Sequence, residues 1–90
     1  MKLKIYNYLI DNKVKTDTIG FIYLISLIQL CLEDNSHFKN LTKTYNIIAN
    51  ECNTSSKSVL RAIQYVIHST KYKSNIRQLL FDCLFTLKEN

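Results

Sequence analysis

The sequence predicts an all-α fold, a single helical domain of about five helices, and three observations carry that reading. Its 90 residues include no proline and one glycine, Gly20, so the turn formers that a sheet protein needs at intervals of about 8 to 12 positions are missing. Apolar residues recur at spacings of three and four, the period of a helix with one buried face. The stretches between these runs are short and polar. With 47% hydrophobic and 21% charged residues the chain can hold one core. A chain of this length buries only about 60 to 65% of its unfolded surface, too little to build a deep substrate cleft as well. Residues 1–90 are therefore read as one domain.

The elements follow in order. Residues 3–12 place Leu3, Tyr6, Leu9 and Ile10 on one side of a short amphipathic helix that ends at Asn12 and Lys13. Asp17 or Thr18 can cap the next helix by accepting a hydrogen bond from an unpaired backbone N–H, and that helix runs to about Asp34. Being apolar nearly all round, it belongs at the centre of the domain or in an oligomer interface. A polar linker, 35–40, leads to a third helix capped by Thr42, with Tyr45, Ile48, Ala49 and Cys52 on one face. A fourth helix, 55–70, buries Val59, Ala62, Ile63, Val66 and Ile67 and is capped by Thr54 or Ser55. A joint at 71–73 precedes a last helix, 74–88, with Ile76, Leu79, Leu80, Cys83, Leu84 and Leu87 inward. Phe81 and Phe85 widen that stripe, covering more core or making a dimer contact, and core is the favoured reading.

The longest apolar run, 19–32, is interrupted by Gly20, Ser26 and Gln29 and is shorter than the roughly 20 residues of a membrane span. The N-terminal stretch lacks the pattern of a secretion signal. Cys31, Cys52 and Cys83 are odd in number, far apart and each within an apolar helical pattern, so reduced thiols packed in the core of a cytoplasmic protein are expected. No membrane association is expected. His37 and His68 are far apart, with no cysteine or carboxylate at ligand spacing, and a single glycine cannot make a phosphate-binding loop. No metal, cofactor, catalytic residue or enzymatic activity is therefore expected.

The net charge is +5, and it is unevenly placed. Residues 1–36 balance, with Lys2, Lys4, Lys13 and Lys15 against Asp11, Asp17, Glu33 and Asp34. Residues 37–77 carry Lys39, Lys43, Lys57, Arg61, Lys71, Lys73 and Arg77 against Glu51 alone. Residues 78–90 carry Lys88 against Asp82 and Glu89. A concentrated positive field attracts a phosphate backbone by releasing its counterions, so nucleic acid is the first partner to consider.

The third and fourth helices fit a helix-turn-helix at about 42–70. Ala49 sits where the helices cross and a larger side chain would part them. Asn53 occupies the turn position that needs positive φ. Val59 plugs the angle between the helices, with Ile48, Cys52 and Ala62 around it. In such a motif the second helix, here about 55–70, enters the major groove of double-stranded DNA with its early residues toward the bases. Arg61 can then bind guanine through two hydrogen bonds, Gln64 can pair with adenine, and Lys57 can reach a base or a phosphate. Thr54, Ser55 and Ser56 would hold a phosphate at the helix start, and Lys43, Lys71 and Lys73 would add backbone contacts. His68 is read as a solvated residue rather than a contact.

The stretch Ile48-Ala49 with Asn53-Thr54-Ser55, Val59, Arg61-Ala62-Ile63 and Ile67 resembles the C-terminal DNA-binding domain of the stage 0 sporulation protein A family, response regulators of endospore formation. Gly20-Phe21-Ile22-Tyr23-Leu24 is similar to the start of that domain's second helix. The resemblance covers most of the chain. It implies an all-helical fold, a helix-turn-helix seated on short promoter boxes, and a role in transcription in a spore-forming bacterium. The receiver domain that normally precedes this module is absent, so a stand-alone domain is expected. The family's longer insert before the last helix is reduced to about five residues. Ser58 and Leu60 stand where the family usually shows an arginine and a glutamate that contact DNA, which makes them base-contact positions here, Leu60 through thymine methyls or partly packed away. A homodimer and a protein partner within the sporulation regulatory system are the further partners this reading admits. The alternative function is an interaction module or antagonist that keeps the fold without specific DNA binding.

Overall fold

In the computed structural model, which describes residues 2–89, these are all helical or connecting segments, without a strand. Six helices follow one another: α1 (Lys2–Asp11), α2 (Ile19–Glu33), α3 (Ser36–Lys39), α4 (Leu41–Glu51), α5 (Ser56–Ile67) and α6 (Ile76–Glu89). The helix beyond the expected five is α3, a single turn inside what reads as a polar linker. His37 explains it, because its Nδ1 donates to the Leu30 carbonyl of α2 (2.7 Å) while its own carbonyl accepts from the buried Thr44 hydroxyl (2.8 Å).

The central position expected of α2 is observed. It packs against each of the other five helices, and Phe21, Tyr23, Leu24, Leu27, Ile28 and Cys31 are buried. Thr18 caps it by accepting from the Phe21 amide. Gly20 provides its closest approach to α5. A β-carbon at that position would collide with the carbonyl oxygen of Ala62 and lie 2.9 Å from Val66 Cγ1. Only glycine lets the two helix backbones meet here.

Several sequence expectations are corrected. In α1 the inward residues are Ile5 and Leu9, whereas Leu3, Tyr6 and Ile10 are exposed, because the helix turns a narrower face to α2 and α6 than its apolar content suggests. Asn40, not Thr42, caps α4, accepting from the Lys43 amide. α5 stops at Ile67 rather than residue 70, where the buried Thr70 hydroxyl takes the Ile67 carbonyl (2.6 Å) and ends the ladder. α6 begins at Ile76, so 68–75 is the link. Cys52 is exposed at the C-cap of α4, unlike the buried Cys31 and Cys83. Phe81 and Phe85 are exposed, at 57% and 62%, so they are not core. The core stripe of α6 is complete without them, being Ile76, Leu79, Leu80, Cys83, Leu84 and Leu87.

A polar relay fastens α1 to α6. Tyr72 donates to Asp82 Oδ2 (2.8 Å), which leaves Tyr8 to donate to Tyr72 (3.2 Å), while Gln78 Nε2 donates to Asp82 Oδ1 (2.9 Å). Burial pushes the Tyr72 phenol well above the ordinary tyrosine range, and Tyr8 is raised for the same reason.

Candidate nucleic-acid interface

The turn between α4 and α5 decides how α5 is presented. Asn53 has φ 54°, the left-handed conformation expected of it, and the Thr54 amide donates back to the Ala49 carbonyl (3.0 Å). That six-to-one bond is the helix stop in which a left-handed residue closes the last turn. Ala49, Ile48 and Val59 are all buried, as their spacing implies. Ala62 is half-buried, its backbone rather than its methyl group making the close contact with Gly20.

Ser55 is the N-cap of α5, accepting from the Ser58 amide (3.1 Å) while its hydroxyl donates to Ser58 Oγ (2.9 Å). Both serine side chains are thus turned toward the cap, leaving the amides of Ser56 and Lys57 as donors at the helix start. Ser56 and Thr54 are half-buried and Ser55 is exposed. The first turns of α4 and α5 contain no acidic residue, and each carries a lysine, Lys43 and Lys57. A cation there opposes the helix dipole, whose positive end favours anions by about 0.3–1 kcal/mol. Each of these two helix starts, reinforced by an ammonium group, attracts anions.

Lys57 and Arg61 are exposed and one turn apart, and neither side chain is hydrogen-bonded to the described residues. Gln64 is half-buried. Leu60 is half-buried against the core, which leaves only part of its side chain for any ligand. Lys43 and Lys73 are exposed, Lys73 with φ 56°. Lys71 lies elsewhere, over the Tyr72 ring at 5.3 Å, lining a cleft with Tyr8, Phe81 and Phe85 on the α1–α6 side. Arg77, counted in the basic segment, is held at home: its guanidinium sits 5.8 Å from the Phe38 ring and donates to the Phe38 carbonyl (3.4 Å).

The structure adds two residues that the pattern did not single out. Tyr65 is 60% exposed and continues the line of Lys57 and Arg61 by another turn. Lys15, from the loop between α1 and α2, stands 4.7 Å above its ring and donates to its hydroxyl (3.4 Å). Lys15 falls in the charge-balanced third of the sequence, so only tertiary structure could bring it to this face. His68 is exposed beside them.

Among the described residues no cluster of His, Cys, Asp or Glu could hold a metal ion, and no helix is long and apolar enough to cross a membrane. Burial raises the thiol of Cys31 to about 11 and that of Cys83 to about 12, which leaves both protonated and unreactive at neutral pH.

With this geometry in view, the family model described as sporulation initiation factor Spo0A C terminal matches residues 5–89. The chain belongs to that family. Members of the Spo0A C-terminal family are DNA-binding effector domains of transcription regulation in sporulation, an all-helical class without enzymatic activity. The Spo0A match spans all of α2 to α6, including the α4–turn–α5 unit and Gly20. No curated protein and no solved structure matches the chain.

Proposed function

We propose that the chain, acting as one domain, is a sequence-specific transcription regulator that inserts α5 into the major groove of double-stranded DNA. The observation that carries this reading is the pair Lys57 and Arg61, exposed and unengaged on the first two turns of a helix that follows a turn built on Asn53. Arg61 binds a guanine edge through two hydrogen bonds. Lys57 reaches a base or a flanking phosphate, and Gln64 offers an amide to adenine from its half-buried position. Ser58 has a hydroxyl proton to donate, since its oxygen already accepts from Ser55, and the open part of Leu60 packs on thymine methyls.

A phosphate sits on the amides of Ser56 and Lys57, flanked by Thr54 and Ser55, with Lys43 and Lys73 adding charge without sequence information. Lys71 contributes to the field rather than to a contact, because it faces the α1–α6 side. The protein works in the cytoplasm, alone or as a homodimer. Selection of bound duplexes from a random pool tests the reading. A common motif containing a guanine supports it; a pool that stays random after repeated rounds at moderate salt defeats it.

A second reading has its own support. Phe81 and Phe85 stand exposed one turn apart on α6, lining a cleft with Tyr8 and Tyr72, as an interaction module or antagonist within the sporulation system would need. A stable complex with a protein partner, together with no DNA complex at low salt, favours that reading.

A further inference from the structure

A cleft lies at the far end of α5. It has a volume of about 380 Å³ and is lined by Lys15, Gln64, Tyr65, His68, Ser69 and Ser74. Every one of these side chains can donate a hydrogen bond, and no carboxylate of the described residues lines the cleft. Lys15 is the charged group among them, and its position is fixed from both sides. On its N-terminal side α1 ends in a closed turn: Lys13 has φ 66° and donates to the Ile10 carbonyl (3.0 Å), and Val14 donates to the Leu9 carbonyl (3.1 Å). Val14 and Leu9 are both buried, which anchors the turn to the core and sends Lys15 outward immediately after it. On the other side the Tyr65 ring and hydroxyl hold the ammonium group.

We infer that this cleft is a second phosphate-binding subsite, formed by Lys15 and Tyr65 with Ser69 and Ser74, which clamps the DNA backbone beyond the bases read by Arg61. The inference rests on the groove-binding reading of α5. Its geometry is that of a helix held at both ends. Lys57 and Tyr65 are eight residues apart, a rise of about 12 Å along the axis, comparable with the roughly 12 Å width of the major groove. A phosphate engaged at the α5 N-terminus and another at the Lys15 cleft therefore belong to the two sides of one groove. The ammonium group lies above the ring and the hydroxyl points to the same space, so one phosphate oxygen can be met by both. Because the contact is made to the backbone, it adds affinity and fixes the helix position without choosing a sequence.

The test compares wild type, Lys15→Gln, Lys15→Arg, Tyr65→Phe and Tyr65→Ala on a selected and a scrambled duplex across a salt series, with thermal unfolding as a check on the fold. Lys15→Gln should weaken binding several-fold on every duplex, make the plot of log affinity against log salt shallower by about 1, and leave sequence preference unchanged. Lys15→Arg should keep both affinity and slope. Tyr65→Phe, which keeps the ring under the ammonium, should lose less than Tyr65→Ala. Phosphate-ethylation interference should show a flanking phosphate that matters to wild type and not to Lys15→Gln.

A folded Lys15→Gln protein with the affinity and slope of wild type overturns the subsite while leaving the Arg61 reading intact. Failure of wild type itself to bind DNA removes the reading beneath it. Inorganic phosphate that perturbs the Ser69 and Ser74 amide signals at matched ionic strength, with DNA binding unaffected by Lys15→Gln, assigns the cleft to free phosphate instead and also overturns the clamp.

Discussion

Gly20 lies directly against the carbonyl of Ala62, so the backbones of α2 and α5 touch without a side chain between them. The helix at the centre of the fold thereby sets the position of the helix that carries Lys57 and Arg61. An added methyl group cannot be absorbed by a rotamer change, because what it meets is main chain, 2.8 Å from the Ala62 carbonyl carbon even before its oxygen is considered. Gly20→Ala should destabilise the fold by about 1–3 kcal/mol, the usual penalty of overpacking, despite the gain of about 1 kcal/mol that alanine offers within a helix. Urea unfolding monitored by circular dichroism measures it. Equal or greater stability of the alanine variant would show that the helices are not held at this contact.

Lys57 occupies the wrong end of a helix for stability and the right end for an anion. Lys57→Glu should stabilise the fold by about 0.3–1 kcal/mol through the α5 dipole. The same substitution should weaken DNA binding on all duplexes and flatten its salt dependence. Paired denaturation and anisotropy measurements read both effects. A variant that is more stable and binds DNA as wild type does would remove Lys57 from the interface.

How much of this was legible beforehand differs by element. The Asn53 turn and the burial of Val59 could be read from the sequence because both depend on local sterics at fixed spacing, and the structure has Asn53 at positive φ and Val59 fully buried. The surplus of cations in 37–77 was equally plain, yet charge arithmetic could not tell Arg77, stacked on Phe38, from Arg61, which is free of such a partner. Nor could it tell Lys71, over Tyr72, from Lys43. Lys15 was invisible for the opposite reason, since it reaches Tyr65 across 50 positions of sequence. Apolar periodicity overstated burial in α1 and α6, where Leu3, Phe81 and Phe85 extend a stripe that neighbouring helices do not reach. Periodicity reports which residues could face a core; the neighbours decide which do.

Thiol chemistry separates the three cysteines. Cys52 is exposed, so iodoacetamide should label it rapidly in the folded protein. Cys31 and Cys83 are buried and should be labelled only after unfolding, as mass spectrometry of native and denatured samples would reveal. The same burial makes a pH prediction. Their folded thiols titrate at about 11 and about 12, above the roughly 8.5 of an unfolded cysteine. Their contribution to stability is therefore full below about pH 8.5 and is lost as pH rises through the folded values. Tyr8, Tyr45 and Tyr72, also raised by burial, act in the same direction above about pH 10. Thermal midpoints should fall steadily from pH 8.5 to 11, and a midpoint that is flat across that range would contradict the burial of these groups.

The groove-reading role of α5 is tested most directly by the ratio of affinities for a selected duplex and a scrambled one, measured at one salt concentration for wild type and Arg61→Ala. Loss of a two-bond guanine contact should remove about 1–3 kcal/mol of discrimination, a fall in that ratio of about 5- to 150-fold, while weak binding to any duplex persists. An unchanged ratio in a folded Arg61→Ala protein would contradict the account.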